Sequence, residues 1–122
     1  MTETTEKISR QIWLPRDVVS NVKTQKANDQ RPPRKQPTLH DAFVAMFEMG
    51  LDQYESEQIA WNIDPRDVND SGYYVLHFDP DKYTRAEQHA ETEGVTILDV
   101  IVSLIRLANS DFKFSELSKQ LS

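Results

Sequence analysis

The chain has no cysteine, only three glycines, and no apolar run approaching the ~20 residues that a membrane-spanning helix needs. The missing cysteines exclude disulfides, thiolate metal sites and cysteine nucleophiles together, and they fit a reducing compartment. No glycine-rich phosphate cradle, dinucleotide fingerprint or Ser-His-Asp context is found. The opening Met1–Lys7 is polar and partly acidic, unlike a secretory signal, so a soluble cytoplasmic protein is expected. What is there is 122 residues with 38% hydrophobic content, enough for one compact domain or two very small ones.

Net charge is −6, which argues against a generic nucleic-acid binder, but the charge is unevenly spread. Residues 1–50 hold eight Lys and Arg against six Asp and Glu, whereas residues 51–122 hold six against fourteen. Any surface attractive to phosphate is therefore expected in the first half. The acidic second half reads either as a solvated surface or as a docking face for a basic protein.

An internal repeat sets the architecture. Thr38-Leu39-His40-Asp41-Ala42-Phe43-Val44-Ala45-Met46-Phe47 aligns without a gap to Thr96-Ile97-Leu98-Asp99-Val100-Ile101-Val102-Ser103-Leu104-Ile105. Each copy opens Thr-x-x-Asp before an apolar run. There the Thr hydroxyl can accept from a first-turn N–H, and the Asp can return a bond to the Thr backbone. Helices are expected from Leu39 to about Tyr54 and from Ile97 to about Ser110. Both are apolar on more than one stripe, as in helices buried against each other. Gly94 is a natural left-handed stop for the helix before the second copy.

Upstream of each copy lies a short β-type run that ends at a proline. Gln11-Ile12-Trp13-Leu14-Pro15 largely alternates, and Tyr73-Tyr74-Val75-Leu76-His77-Phe78 precedes Asp79-Pro80. A helix is expected after each, one starting at Arg16-Asp17 and the other running from Asp81 to Glu93, with Tyr83, Ala86 and Ala90 on one face. The order is strand, helix, helix, linker, strand, helix, helix, with a short helix from Ser115 to Leu121 at the end.

This pattern resembles the ribbon-helix-helix superfamily of Arc and MetJ type repressors. Ile12-Trp13-Leu14-Pro15 matches the end of the family strand, and Glu93-Gly94-Val95-Thr96 matches its turn between helices. Its occurrence twice in one chain is similar to relaxosome accessory proteins of conjugative plasmids. The resemblance implies a mostly α fold with a two-stranded antiparallel β-ribbon, built as an intramolecular pseudo-dimer of two βαα units. It divides the chain into a tail (1–6), a first unit (7–54), a linker (55–70), a second unit (71–110) and a C-terminal tail or short helix (111–122). It implies double-stranded DNA as partner, read by the ribbon in the major groove, with phosphates at the second-helix starts, Thr38 and Thr96. A transcriptional repressor or a plasmid transfer or maintenance factor would follow. A monomeric pseudo-dimer is expected, with higher assembly on DNA open to it.

Period two then sorts the ribbon residues. With Ile12 and Leu14 inward, Ser9, Gln11 and Trp13 face outward; with Tyr74, Leu76 and Phe78 inward, Tyr73, Val75 and His77 do. Gln11 suits adenine, and Val75 suits a thymine methyl. Trp13, Tyr73 and Val75 also make an apolar patch of the kind that contacts protein. The first unit carries six extra residues, a basic, proline-stiffened insertion at 30–36 (Gln30-Arg31-Pro32-Pro33-Arg34-Lys35-Gln36) just before Thr38. Arg31, Arg34 and Lys35 are candidate phosphate contacts, as are Lys7 and Arg10 beside the ribbon. The matching turn of the second unit has only Glu91 and Glu93, so an asymmetric DNA site is expected.

His40, His77 and His89 stand at no metal-ligand spacing, and no metal, cofactor or catalytic residue is expected. The alternative to a DNA-binding protein is a protein-interaction module on the same fold. It would be an adaptor, an antitoxin-like neutraliser or an inhibitor, using the acidic residues 51–122 and the aromatic ribbon face.

Overall fold

The computed structural model describes residues 7–32, 34, 36–57 and 72–120. The elements run β1 (Ile8–Trp13), α1 (Arg16–Asn28), α2 (Leu39–Glu57), β2 (Tyr73–Phe78), α3 (Pro80–Glu93), α4 (Ile97–Asn109) and α5 (Phe114–Gln120). The described protein is mostly helical, with one two-stranded antiparallel sheet. No described helix is long and apolar enough to cross a membrane. The tail at 1–6 and linker positions 58–70 lie outside the described residues, while positions 55–57 continue α2 past the expected end at Tyr54.

The two strands pair from Ile8 with Phe78 to Trp13 with Tyr73. β1 begins three residues before the expected start at Gln11. Backbone partners on β2 set that end, since Ile8, Ser9 and Arg10 each face a residue there whatever their side chains favour. At the other end, Leu14 has left the strand, but its N–H still donates to the Gly72 carbonyl at 3.3 Å. Alternation separates two faces: Ile12, Leu76 and Phe78 are buried and Ile8 and Tyr74 half-buried on one, where Arg10 alone stays exposed, whereas Gln11, Val75 and His77 are exposed on the other.

The helix starts follow from local chemistry. At α2, the Asp41 N–H donates to Thr38 Oγ1 and the Thr38 N–H to Asp41 Oδ2, both at 3.1 Å. At α4, the Asp99 N–H donates to Thr96 Oγ1 at 3.1 Å. α3 is capped by Asp79, whose carboxylate accepts from the Lys82 N–H, and Pro80 occupies its first turn. It stops at Gly94, whose φ of 70° is the left-handed conformation that favours glycine. Its buried face is Tyr83, Ala86 and Ala90.

α2 and α4 form the centre of the molecule. They meet closely at Gly50, where a Cβ would run into the Leu104 backbone, with the Leu104 carbonyl carbon only 2.7 Å away. Phe43, Met46, Phe47 and Leu51 of α2, with Ile101, Leu104 and Ile105 of α4, fill the core under the ribbon. Phe47 meets Phe78 of β2 edge-on at 4.9 Å.

Polar side chains fasten the outer helices. Glu55 of α2 pairs with Arg85 of α3 and lies 2.7 Å from His89 Nε2, and Asp52 stands 3.6 Å from Arg85. The hydrogen bond from Arg85 holds the Glu55 carboxyl below its ordinary range, against the opposing effect of burial. α5, starting at Phe114 rather than Ser115, docks on α1 through Gln25. The Gln25 side-chain Oε1 accepts from the Phe114 N–H at 2.7 Å, and its Nε2 donates to the Phe112 carbonyl at 3.1 Å. Ser118, fully buried, donates to Asp29 at 3.1 Å.

Candidate nucleic-acid interface

The solvent face of the ribbon carries all six residues expected there, arranged as three cross-strand pairs: Ser9 with His77, Gln11 with Val75 and Trp13 with Tyr73. Each residue is exposed, with Trp13 at 37%, Val75 at 46% and Tyr73 at 53%. The pairs differ in chemistry along the ribbon. At one end Ser9 Oγ and His77 Nδ1 share a hydrogen bond of 2.7 Å. At the other, the Trp13 and Tyr73 rings lie with centroids 3.7 Å apart. Between them, the Gln11 amide has no hydrogen-bond partner among the described residues. The ribbon thus grades from polar to aromatic along its length.

Arg10 falls in the inward register, opposite Leu76. Its side chain turns to Tyr83: Nε donates to the Tyr83 hydroxyl at 2.7 Å, and the guanidinium stands 5.9 Å from that ring. The hydrogen bond to Tyr83 raises the pKa of Arg10 further from an already high value. This cation is directed at α3, whereas Lys7 lies in a cleft of about 540 Å³ with His40, Asp41, Val44 and His77. The cleft joins the polar end of the ribbon to the first turns of α2. Tyr74 closes its neighbourhood, meeting His40 at 5.6 Å and Phe43 at 4.9 Å edge-on.

The basic insertion is tied to the end of α1 by Gln36. The Gln36 amide donates to the Arg31 carbonyl at 2.9 Å, and its oxygen accepts from Lys26 Nζ at 2.9 Å. Lys26 also donates to the Pro37 carbonyl at 3.0 Å and lies 5.4 Å from the Phe114 ring, so it holds the loop. Arg31 lines a separate cleft of about 520 Å³ with Gln25, Asn28, Ser115 and Lys119, between α1 and α5. Arg34 is exposed, and Lys35 lies outside the described residues. The structure therefore brings Lys7, His40 and His77 to one place and puts Arg31 in another.

The two helix starts are unlike. Asp41 already complements the positive end of α2, and its bond to the Thr38 N–H takes up one backbone donor. The start of α4 adjoins a cleft of about 430 Å³ lined by Thr84, Glu87, Gln88, Ala90, Glu91, Val95 and Ile97, with no cation in it. Leu98 beside Thr96 is 42% exposed. Among the described residues, no group of three His, Asp or Glu is placed to hold a metal.

Sequence reasoning missed the Ser9–His77 bond, the Arg10–Tyr83 contact and the Gln36 hub. The first needs the strand register. The others join residues far apart in the chain or in a loop without periodicity, so no spacing signal marks them. Compared with family models, curated proteins and solved structures, the chain matches none.

Proposed function

We propose that the chain is a sequence-specific double-stranded DNA-binding protein of ribbon-helix-helix type, a repressor or a plasmid transfer or maintenance factor. On this reading the two β-α-α runs are interlocked units of a pseudo-dimer, each completing the core of the other. The single observation that carries it is the outward face of the two-stranded ribbon. Its six exposed side chains lie in register as three pairs on a surface narrow enough for a major groove, above a core built from both halves of the chain.

The charge distribution supports an unequal grip. Lys7, Arg31, Arg34 and Lys35 all belong to the first half, while the start of α4 stands beside Glu87 and Glu91. Phosphate contacts would concentrate on one flank, and the preferred DNA site would lack two-fold symmetry. Higher assembly of copies on one DNA is compatible with this arrangement.

The test is selection from a random duplex pool, followed by the double substitution Gln11→Ala with Trp13→Ala. Loss of the selected preference is expected while the fold is kept, since both side chains are exposed. Unchanged specific binding would sink the assignment of the ribbon as reader. If the pure protein selects no DNA, the Trp13–Tyr73 pair and the acidic second half favour the protein-interaction reading instead.

A further inference from the structure

Resting on the DNA-binding reading, we propose that the centre of the ribbon reads a single A·T base pair, Gln11 holding the adenine and Val75 covering the thymine methyl. In two of the three outward pairs the side chains touch each other across the strands: Ser9 Oγ is bonded to His77 Nδ1, and the Trp13 ring packs on the Tyr73 ring. The central pair differs. The Gln11 amide has no partner among the described residues, and directly across from it Val75 is 46% exposed. Cross-strand neighbours on one face have Cβ atoms about 4.5–5.5 Å apart, so the amide and the methyls form one recognition unit.

Base-edge chemistry selects what this unit fits. In the major groove adenine presents an acceptor at N7 beside a donor at N6, the complement of a carboxamide. The same base pair carries the thymine 5-methyl on its other side, where an aliphatic side chain can cover it. A guanine offers two acceptors, so the Gln11 carbonyl oxygen would face a like atom, and its cytosine partner has no methyl. Reversing the pair puts the methyl under the amide and the adenine under Val75. The unit therefore distinguishes A·T from T·A as well as from G·C. One bidentate contact of this kind corresponds to about tenfold to a hundredfold discrimination.

The experiment uses the full chain and short duplexes with a randomised centre, the bound fraction being sequenced for wild type, Gln11→Ala and Val75→Ala. The wild type is expected to enrich a motif with one A·T pair that Gln11→Ala ceases to prefer, while salt-dependent retention of the pool persists. Deoxyuridine for thymine at that pair should weaken wild-type binding about fourfold, the worth of one buried methyl, and leave Val75→Ala unaffected. An enriched motif in which no A·T pair depends on Gln11, or equal binding of thymine and deoxyuridine, overturns this proposal and leaves the DNA-binding reading standing. No enrichment with no salt-dependent retention defeats both. Matched urea midpoints for the three proteins show that any loss is not unfolding.

Discussion

Gly50 of α2 lies directly against the backbone of Leu104 on α4, so these two helices approach as closely as the absence of a side chain allows. Gly50→Ala must push them apart, although alanine is otherwise the better helix former by roughly 1 kcal/mol. Overpacking of this kind costs about 1–3 kcal/mol, and here the obstacle is backbone that cannot rotate away. Urea unfolding should give a lower midpoint for Gly50→Ala; an unchanged or higher midpoint would contradict the close approach.

Gln25 acts as a cap supplied from a distant helix, satisfying the Phe114 N–H at the start of α5 and the Phe112 carbonyl just before it. Gln25→Ala leaves both groups without this partner and should cost about 1–2 kcal/mol. The loss should be local, so amide exchange of α5 is expected to speed up more than that of α4. Equal acceleration in both helices would mean that α5 does not depend on this tie.

Glu55 joins α2 to α3 as a carboxylate held below its ordinary pKa by Arg85. Because the folded value is depressed, the tie contributes stability above the unfolded value near 4.5, and that contribution disappears as pH falls through the folded value. The pair is partly exposed, so the contribution is under about 1 kcal/mol. Thermal unfolding across acidic pH should therefore show a steeper fall for wild type than for Glu55→Gln, the two curves converging at the acid end. Parallel curves would count against the tie.

The helix-start hydroxyls give a fourth comparison. Thr38 both accepts from and donates to Asp41, whereas Thr96 is seen to accept from Asp99. Thr38→Ala and Thr96→Ala should each destabilise the protein by about 1 kcal/mol. Asp41→Ala should add to the loss at α2 by freeing the Thr38 N–H. A neutral result for Asp41→Ala in urea unfolding would show that the return bond contributes nothing.

Much of this was legible in the residues because it depends on neighbours in sequence. Period two placed Ile12, Leu76 and Phe78 inward and Ser9, Gln11, Trp13, Tyr73, Val75 and His77 outward, and the repeated Thr-x-x-Asp marked the starts of α2 and α4. Gly94 was readable as a left-handed stop, and Tyr83, Ala86 and Ala90 as one buried face. Alternation carried the ribbon back to Ser9, but nothing marked the start of β1 at Ile8, because Ile8 and Arg10 owe their strand conformation to pairing with β2. Nor was the role of Gly50, which depends on a helix fifty-four residues away in the chain, opposite Leu104. Arg10 stands beside the ribbon in the sequence, and only the fold brings Tyr83 within reach of its Nε. Arg31 belongs to the insertion that precedes Thr38 in the sequence, but the Gln36 hub anchors its loop at the end of α1, and Arg31 lines the cleft beside α5.

Sequence-specific DNA binding is tested most directly by measuring the affinity of the pure protein for a selected duplex and for a scrambled one across a salt series. Tighter binding to the selected duplex is expected at every salt concentration. The slope of log affinity against log salt should be roughly −3, as expected if Lys7, Arg34 and Lys35 each neutralise one phosphate. Equal affinity for both duplexes, or no binding at low salt, would contradict it.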